Sequence, residues 1–280
     1  MALKIKKRLS LPVARGILDA LSFNITHDDS DCSLISSCNP CSPAPMSLYI
    51  LEGGEKLIGC KLNTPFIVGV FSFCYLQDSE VRKGTKFQVS LSELKEYLSL
   101  SSGGKGFNVV NAMRDIDDMW GITRYRGVHR LFSDVSCSDG VLSFESEYFA
   151  YLISYLEAYQ KEEKGSLYCS AVSSSIVSGR KTAAKEVVLV LAGLAARRVD
   201  GCAGISLKTL LMSCSSFAYG FTQLHNSDAN RYLKRTLSDA VELFESYCYY
   251  PDKVVSIKLP QVINRFNLQE QVLVCIRKAV

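Results

Sequence analysis

Val89-Ser-Leu-Ser-Glu-Leu94 recurs in altered form later in the chain, as Ile205-Ser-Leu-Lys-Thr-Leu210. Both stretches contain an apolar residue, then a serine, and then leucines spaced three residues apart. A serine at this point can accept hydrogen bonds from the N–H groups that open a helix. Each stretch therefore predicts a short strand that leads into a short helix. Two copies of the pattern in one chain of 280 residues indicate an internal repeat.

Similar elements surround the two copies. An apolar segment precedes each copy, at 64–76 and at 183–196. The second segment predicts a buried helix, whereas the first is rich enough in aromatic and β-branched residues that a strand stays open as an alternative. A longer amphipathic helix is predicted after each copy, because apolar residues recur there at helical spacing. These residues are Val109, Met113, Ile116 and Trp120 in the first copy, and Leu233, Leu237, Val241 and Phe244 in the second.

A β-hairpin is predicted at the end of each copy. The first hairpin runs through 128–135, turns at Ser138-Asp139-Gly140 and returns through 141–144. Asp-Gly between apolar runs is a strong hairpin signal, and Pro-Asp suits the centre of a type I turn. The second hairpin runs through 247–250, turns at Pro251-Asp-Lys253 and returns through 254–259. The order of elements predicts a helix-rich α+β fold with two tandem winged helix-turn-helix domains.

The boundary between the domains is predicted near 159–165, so that residues 1–160 form the N-terminal domain and residues 161–280 the C-terminal one. The first part carries 16 Lys and Arg against 18 Asp and Glu, a balance of −2. The second carries 16 against 10, a balance of +6, so the basic character belongs to the C-terminal part. Residues 26–47 hold three of the seven prolines and many small polar residues, which predicts a mobile loop.

Eleven cysteines accompany three histidines. Most of the cysteines lie singly in apolar segments, and we expect buried thiols in a reducing compartment. They are Cys60, Cys74, Cys169, Cys202, Cys214, Cys248 and Cys275. Cys38-Asn-Pro-Cys41, with Cys32 before it, has the spacing of a metal or redox motif, but no second pair or matched histidines accompany it. We therefore expect a loop there, with neither a metal nor a cofactor.

Other sequence signals argue against a membrane protein and against an enzyme. Pro12 and Arg15 interrupt the apolar run that a signal peptide needs, and the longest apolar run, 187–196, is too short to cross a bilayer. We expect a cytoplasmic protein without membrane contact. Gly103-Gly-Lys-Gly106 lacks the spacing of a phosphate-binding loop and predicts a turn. The serine-hydrolase, zinc-protease and dinucleotide motifs are absent, so we do not expect an enzyme.

The second amphipathic helix is the predicted recognition helix for double-stranded DNA. With Leu233 and Leu237 facing the core, polar and cationic residues project from the opposite surface toward phosphates and base edges. The candidate DNA-binding residues of this helix are Ser227, Asn230, Arg231, Lys234, Arg235 and Ser238. Lys253 at the tip of the predicted hairpin and Lys258 on its return strand could reach flanking phosphates. The alternative is a solvated helix face with incidental charge.

The matching helix of the first copy carries three acidic residues, at Asp115, Asp117 and Asp118, which repel phosphate. Cations lie before and after this helix, at Lys105, Arg124, Arg126 and Arg130. We expect this domain mainly to make protein contacts, or to touch DNA through its wing. An ordinary acidic surface is the alternative.

The element order resembles that of the replication initiator (Rep) proteins of iteron-containing plasmids, over most of residues 64–260. The resemblance rests on Ser90-Leu91, Val109–Trp120, Ser206-Leu207 and Asn230–Phe244. It implies a C-terminal winged helix that reads origin repeats through Asn230, Arg231, Lys234 and Arg235. It also implies an N-terminal winged helix used for dimerisation, and contacts with replication-machinery proteins. The segment 26–47 has no role in that pattern.

Two other functions remain open at the level of sequence. A winged-helix transcriptional regulator would use the same fold and the same DNA-contacting surface. A winged-helix interaction subunit would use the fold without contacting DNA.

Overall fold

A computed structural model describes the chain over residues 64–77, 81–100, 108–114, 132–147, 149–150, 153–154, 172–196, 200–222, 224–250 and 252–279, and over the backbone of 23–27, 33–37, 46–49, 120–123 and 127–130. The helices are α1 (Thr64–Leu76), α2 (Leu91–Tyr97), α3 (Val109–Arg114), α4 (Thr182–Ala196), α5 (Leu207–Met212), α6 (Ser215–Thr222) and α7 (Asn226–Tyr247), with a 3₁₀ helix at Ser174–Val177. The strands are β1 (Phe23–His27), β2 (Ser33–Ser37), β3 (Met46–Tyr49), β4 (Arg82–Lys83), β5 (Lys86–Ser90), β6 (Trp120–Thr123), β7 (Gly127–Arg130), β8 (Ser133–Ser138), β9 (Val141–Glu145), β10 (Gly201–Ser206), β11 (Lys253–Lys258) and β12 (Gln271–Lys278). The described residues form an α+β fold with antiparallel sheets.

The repeated pattern forms the predicted strand and helix in both places. β5 leads into α2 and β10 into α5, and the intervening serines cap the helices. The hydroxyl oxygen of Ser90 accepts from the Glu93 N–H at 3.4 Å, and that of Ser206 accepts from the Thr209 N–H at 3.1 Å. The segment 64–76, for which a strand was the alternative to a helix, forms the helix α1.

The two repeats also share a strand order. β5 pairs with β9 and β9 with β8, whereas β10 pairs with β12 and β12 with β11. In each repeat, the strand before the short helix therefore lies next to the last strand of the hairpin. We call α1 to β9 the first repeat and α4 to β12 the second repeat.

The first hairpin is confirmed and the second is corrected. β8 and β9 meet at Asp139-Gly140, where both residues have positive φ, 51° and 77°, as a tight hairpin turn requires. In the second repeat, 247–250 is not a strand, because α7 continues its apolar stripe to Tyr247. Pro251-Asp252 separates this helix from β11, and the partner of β11 is β12, across a loop at 259–270 that we call the β11–β12 loop.

Two predictions in the N-terminal part are wrong. The segment 26–47, predicted as a mobile loop, includes strand backbone of a sheet in the order β1-β2-β3-β6-β7. Its many prolines and serines predicted a loop, but short stretches in and beside it pair as strands, with Ile25 opposite Ile35 and Leu34 opposite Tyr49. The helix predicted through Trp120 is described only as far as Arg114, and Trp120 begins β6. Trp120-Gly-Ile-Thr123 instead pairs as a strand with β3 and β7, as its aromatic and β-branched residues favour.

The buried core continues from one repeat into the other. α1 packs against α4, and both helices contribute fully buried apolar side chains. Gly69 allows close packing on α1, because a Cβ there would lie 2.6 Å from Leu98 Cδ2 and 2.8 Å from Val177 Cγ2. The Ser174 hydroxyl also donates to the Tyr97 carbonyl across the junction. The repeats are therefore packed together over a shared core.

The cysteines depart from the expectation of buried thiols at one pair. Cys202 and Cys275 are opposite each other in the β10–β12 ladder and form a disulfide. Sequence spacing did not indicate this bond, because the 73-residue separation gives no sign of the strand register. Cys74 and Cys214 are buried thiols, as expected, and Cys248 is half-buried. The other predicted thiols and the Cys32/Cys38/Cys41 group lie outside the described residues.

We expect Cys202→Ser to lower the free energy of unfolding of the oxidised protein by about 4 kcal/mol. The disulfide closes a long loop, and losing it restores conformational freedom to the unfolded chain. Urea unfolding without reductant measures this loss, and Cys137→Ser, at an exposed thiol, is the matched control. Alkylation of Cys202 or Cys275 in the native, unreduced protein would contradict the assignment.

Lys185, near the start of α4, is only 3% exposed. Its ammonium donates to the carbonyls of Ser178 and Gly179. Burial lowers the pKa of Lys185 from 10.5 to about 8. Between these two pH values the unfolded chain binds more protons at this position than the folded protein does, so this residue makes stability rise with pH.

We expect the free energy of unfolding of the wild type, relative to that of Lys185→Met, to increase between pH 7 and pH 9.5. The variant loses the carbonyl hydrogen bonds at every pH, but it lacks the titrating group. Groups shared by both proteins cancel in the comparison. Urea unfolding measures the free energy of unfolding of both proteins at each pH. If the two values change with pH in parallel, the lowered pKa of Lys185 is refuted.

Candidate nucleic-acid interface

Helix α7 has one buried face and one exposed cationic face. Its buried residues are Ala229, Leu233, Thr236, Leu237, Ala240 and Phe244. The predicted apolar stripe is thus confirmed at Leu233, Leu237 and Phe244, whereas its fourth member, Val241, is half-buried. The exposed residues of its N-terminal half are Ser227, Asp228, Arg231, Lys234, Arg235 and Ser238. We call Arg231, Lys234 and Arg235 the basic patch. Five of the six predicted residues of this helix thus lie together on its exposed surface, and Asn230 is the exception.

The charge of α7 changes sign along its length. The basic patch occupies the N-terminal half, whereas Glu242 and Glu245 are exposed in the C-terminal half. Arg231 forms an ion pair with Asp228 one turn earlier, and Lys181 pairs with Asp239 at 2.7 Å. The hydrogen bond with Asp239 raises the pKa of Lys181. Positive charge suited to phosphate is therefore concentrated near the start of the helix.

Asn230 is half-buried and holds the β11–β12 loop against α7. Its side-chain oxygen accepts the backbone N–H of Arg265 at 2.8 Å. The loop is anchored again at α5, where the N–H of Lys208 donates to the Leu268 carbonyl at 2.8 Å and that of Leu207 to the Glu270 carbonyl at 2.9 Å. Asn230 thus makes a positioning contact with the loop, and its predicted contact with a base edge stays a prediction.

The β11–β12 loop brings residues beside α7 that the sequence did not single out. Phe266 is 80% exposed, and the guanidinium of Arg265 lies 5.7 Å from the centroid of its ring. The N–H of Phe266 donates to the side-chain oxygen of Asn264 at 2.9 Å, which fixes the backbone beneath the ring. This segment is a hairpin loop because β11 pairs with β12, and the local sequence does not show which strand is the partner of β11.

Lys253 and Lys258 have different surroundings. Lys253 is not at a hairpin tip: it begins β11, and its ammonium donates to the Ala195 carbonyl at 2.8 Å and lies 5.1 Å from the Tyr250 ring centroid. This contact fastens β11 to the end of α4. Lys258 is exposed at the other end of β11, where the β11–β12 loop begins.

Three of the four predicted cations of the first repeat lie outside the described residues: Lys105, Arg124 and Arg126. The structure describes only the backbone of the fourth, Arg130, which pairs with Trp120 at the end of β7. Arg114, the last residue of α3, donates to the Val135 carbonyl at 3.2 Å.

A buried carboxylate sets the position of the helices beneath the basic patch. Glu186 of α4 is 2% exposed, and its two oxygens accept from the N–H and the hydroxyl of Ser216, each at 2.9 Å. The N–H of Phe217 approaches the same carboxylate at 3.4 Å. These groups open α6, so a side chain of α4 supplies the cap of that helix.

Tyr232 then joins α6 to α7. Its hydroxyl donates to the Ser216 carbonyl at 3.3 Å, and burial raises its pKa to about 12. A Cβ on Gly220 would overlap the Tyr232 hydroxyl, so glycine allows the close approach of the two helices. Because Tyr232 adjoins Arg231 in α7, this packing also fixes the direction of the basic patch.

The described residues show no helix long and apolar enough to cross a membrane. In the same part of the chain, no group of three or more His, Cys, Asp and Glu side chains is placed to hold a metal ion.

We expect Glu186→Gln to lower the free energy of unfolding by about 2 kcal/mol, because a neutral amide replaces a charged acceptor of buried donors. Glu245→Gln, at an exposed position of α7, is the control and should change stability by no more than about 0.5 kcal/mol. Chemical denaturation at pH 7 measures both effects. Equal stability of the two variants would refute the capping role of Glu186.

Comparison with known proteins gives little to add to this geometry. No family model matches the chain, and no curated protein matches it. Among solved structures, the chain is similar to domains 2 and 3 of RctB, in a crystal structure of selenomethionine derivatives. That match has a TM-score of 0.43 and 10% sequence identity, and it covers 96% of this chain and 99% of that chain. A likeness at this level supports no assignment of function.

Proposed function

We propose that this protein binds double-stranded DNA sequence-specifically through its second repeat, a winged helix-turn-helix whose recognition helix is α7. The observation that carries the proposal is the basic patch on the exposed N-terminal half of α7. Helix-turn-helix proteins contact base edges mainly through this part of the recognition helix. Arg and Lys there can neutralise phosphates, and Arg can bind guanine with two hydrogen bonds.

The arrangement around α7 supports the same proposal. α4, β10, α5, α6, α7 and the β11–β12 hairpin follow one another in the order expected of a winged helix, with β12 in the middle of the sheet. The β11–β12 loop is the proposed wing, and its contact with Asn230 places it beside the basic patch. Lys208, at the start of α5, is exposed next to the point where this loop is anchored.

The more specific proposal is a plasmid-type replication initiator that binds origin repeats. The resemblance in element order to plasmid Rep proteins supports it, together with the charge balance of −2 over residues 1–160 and +6 over residues 161–280. In this proposal the first repeat mainly makes protein contacts, including a homodimer contact, and the second repeat reads DNA.

We expect the full-length protein to bind duplex DNA with an affinity that falls steeply as salt is raised. Replacing Arg231 and Lys234 together by alanine should reduce the steepness of the log–log salt dependence by about 2, since each phosphate contact contributes about 1. Lys83→Ala, an exposed cation of the first repeat, is the matched control. Fluorescence anisotropy with a labelled duplex at several salt concentrations measures these slopes.

Binding that is absent or independent of salt would refute DNA binding. Selection of bound duplexes from a random pool then tests the narrower proposal. Enrichment of a motif that recurs as direct repeats beside the gene supports an initiator. A motif found instead in promoters, without such repeats, would favour a transcriptional regulator.

A further inference from the structure

Phe266 is an unusual residue to find at the tip of an ordered loop. It is the most exposed of the large apolar side chains in the described residues, at 80%, and its loop neighbour Val262 is 54% exposed. An exposed aromatic ring loses the free energy that burial would provide. Hydrogen bonds to Asn230, Leu207 and Lys208 nevertheless hold the loop in place, so the ring is presented at a defined position.

The position of the ring relative to α7 points to its partner. The N–H of Arg265, the adjacent residue, is bound to Asn230, which lies in the turn that begins the basic patch. When a helix occupies the major groove, a loop held beside that helix meets the neighbouring backbone and the minor groove. Arg265 brings a cation to the same place, which suits the negative potential of that groove.

We propose that Phe266 inserts between base pairs from the minor groove, so that the protein bends the DNA bound to α7. This inference rests on the proposed DNA binding. Phe wedges of this kind partly unstack a base step and kink the duplex, while an adjacent Arg contacts the groove. A wedge requires only one rigidly presented ring, whereas a protein interface needs about 800 Å² on each partner, far more than Phe266 and Val262 offer.

The wedge predicts a separation of bending from electrostatic attraction. The test uses the full-length protein and a duplex selected by the wild type, labelled at both ends for energy transfer. We expect Phe266→Ala to abolish the change in energy transfer on binding and to weaken binding about tenfold, the loss typical of one base-stacking contact. The salt dependence should not change, because phenylalanine carries no charge.

Two further variants sharpen this test. Phe266→Leu should retain most of the bend, since leucine also serves as a wedge. Val262→Ala, at an exposed apolar position of the same loop, should bend DNA like the wild type. Thermal unfolding of Phe266→Ala should match that of the wild type, because the ring is outside the core.

The possible failures are distinguishable. If the wild type binds DNA with the expected salt dependence but Phe266→Ala bends and binds it equally well, the wedge is refuted and the proposed function stands. If Phe266→Ala leaves DNA bending intact and instead abolishes self-association, the ring is a protein contact and the wedge is equally refuted. If the wild type shows no salt-dependent binding, the proposed function itself fails.

Discussion

The carboxylate of Glu186 is the contact on which the arrangement of the second repeat depends. It is buried in α4, yet its partners are backbone and hydroxyl donors at the start of α6. A buried carboxylate is costly unless it is fully hydrogen-bonded, and the open N–H groups of a helix are costly unless they are capped. The N–H groups at the start of α6 donate to the carboxylate, so both costs are removed when α4 and α6 take this relative position.

The consequences of this contact extend to the surface. Tyr232 of α7 packs on α6 and donates to Ser216, the same residue that Glu186 caps. Arg231, the residue before Tyr232 in the helix, is exposed, whereas Leu233, the residue after it, is buried. The direction of the basic patch therefore depends on a chain of contacts that begins in the core. Asn230 continues that chain to the β11–β12 loop.

The sequence predicted the features that depend on near neighbours. The serine caps, the apolar helix faces, the Asp139-Gly140 turn and the exposure of Arg231, Lys234 and Arg235 all follow from spacings of a few residues. The errors have two causes. Proline-rich composition predicted a loop where β1, β2 and β3 pair, although these strands are close in sequence. The other errors concern distant partners, because β12 lies beyond the segment taken to close the second hairpin and Cys275 is 73 residues from Cys202. Phe266 and the second role of Asn230 were missed for the same reason, because both depend on which strand follows the loop.

The shared core gives the two repeats a mechanical relation that the sequence did not suggest. α4 contacts α1 of the first repeat and also α6 and α7 of the second. Gly69 allows α1 to lie close to the 3₁₀ helix that precedes α4. Lys185 and Glu186 are consecutive residues of α4, and they hold the incoming chain on one side and the start of α6 on the other. α4 therefore packs against α1, α6 and α7, and Tyr232 joins α6 to α7. Close packing of this kind leaves side chains little room to move. The core of the first repeat and the helix that carries the basic patch thus lie against the same helix, α4.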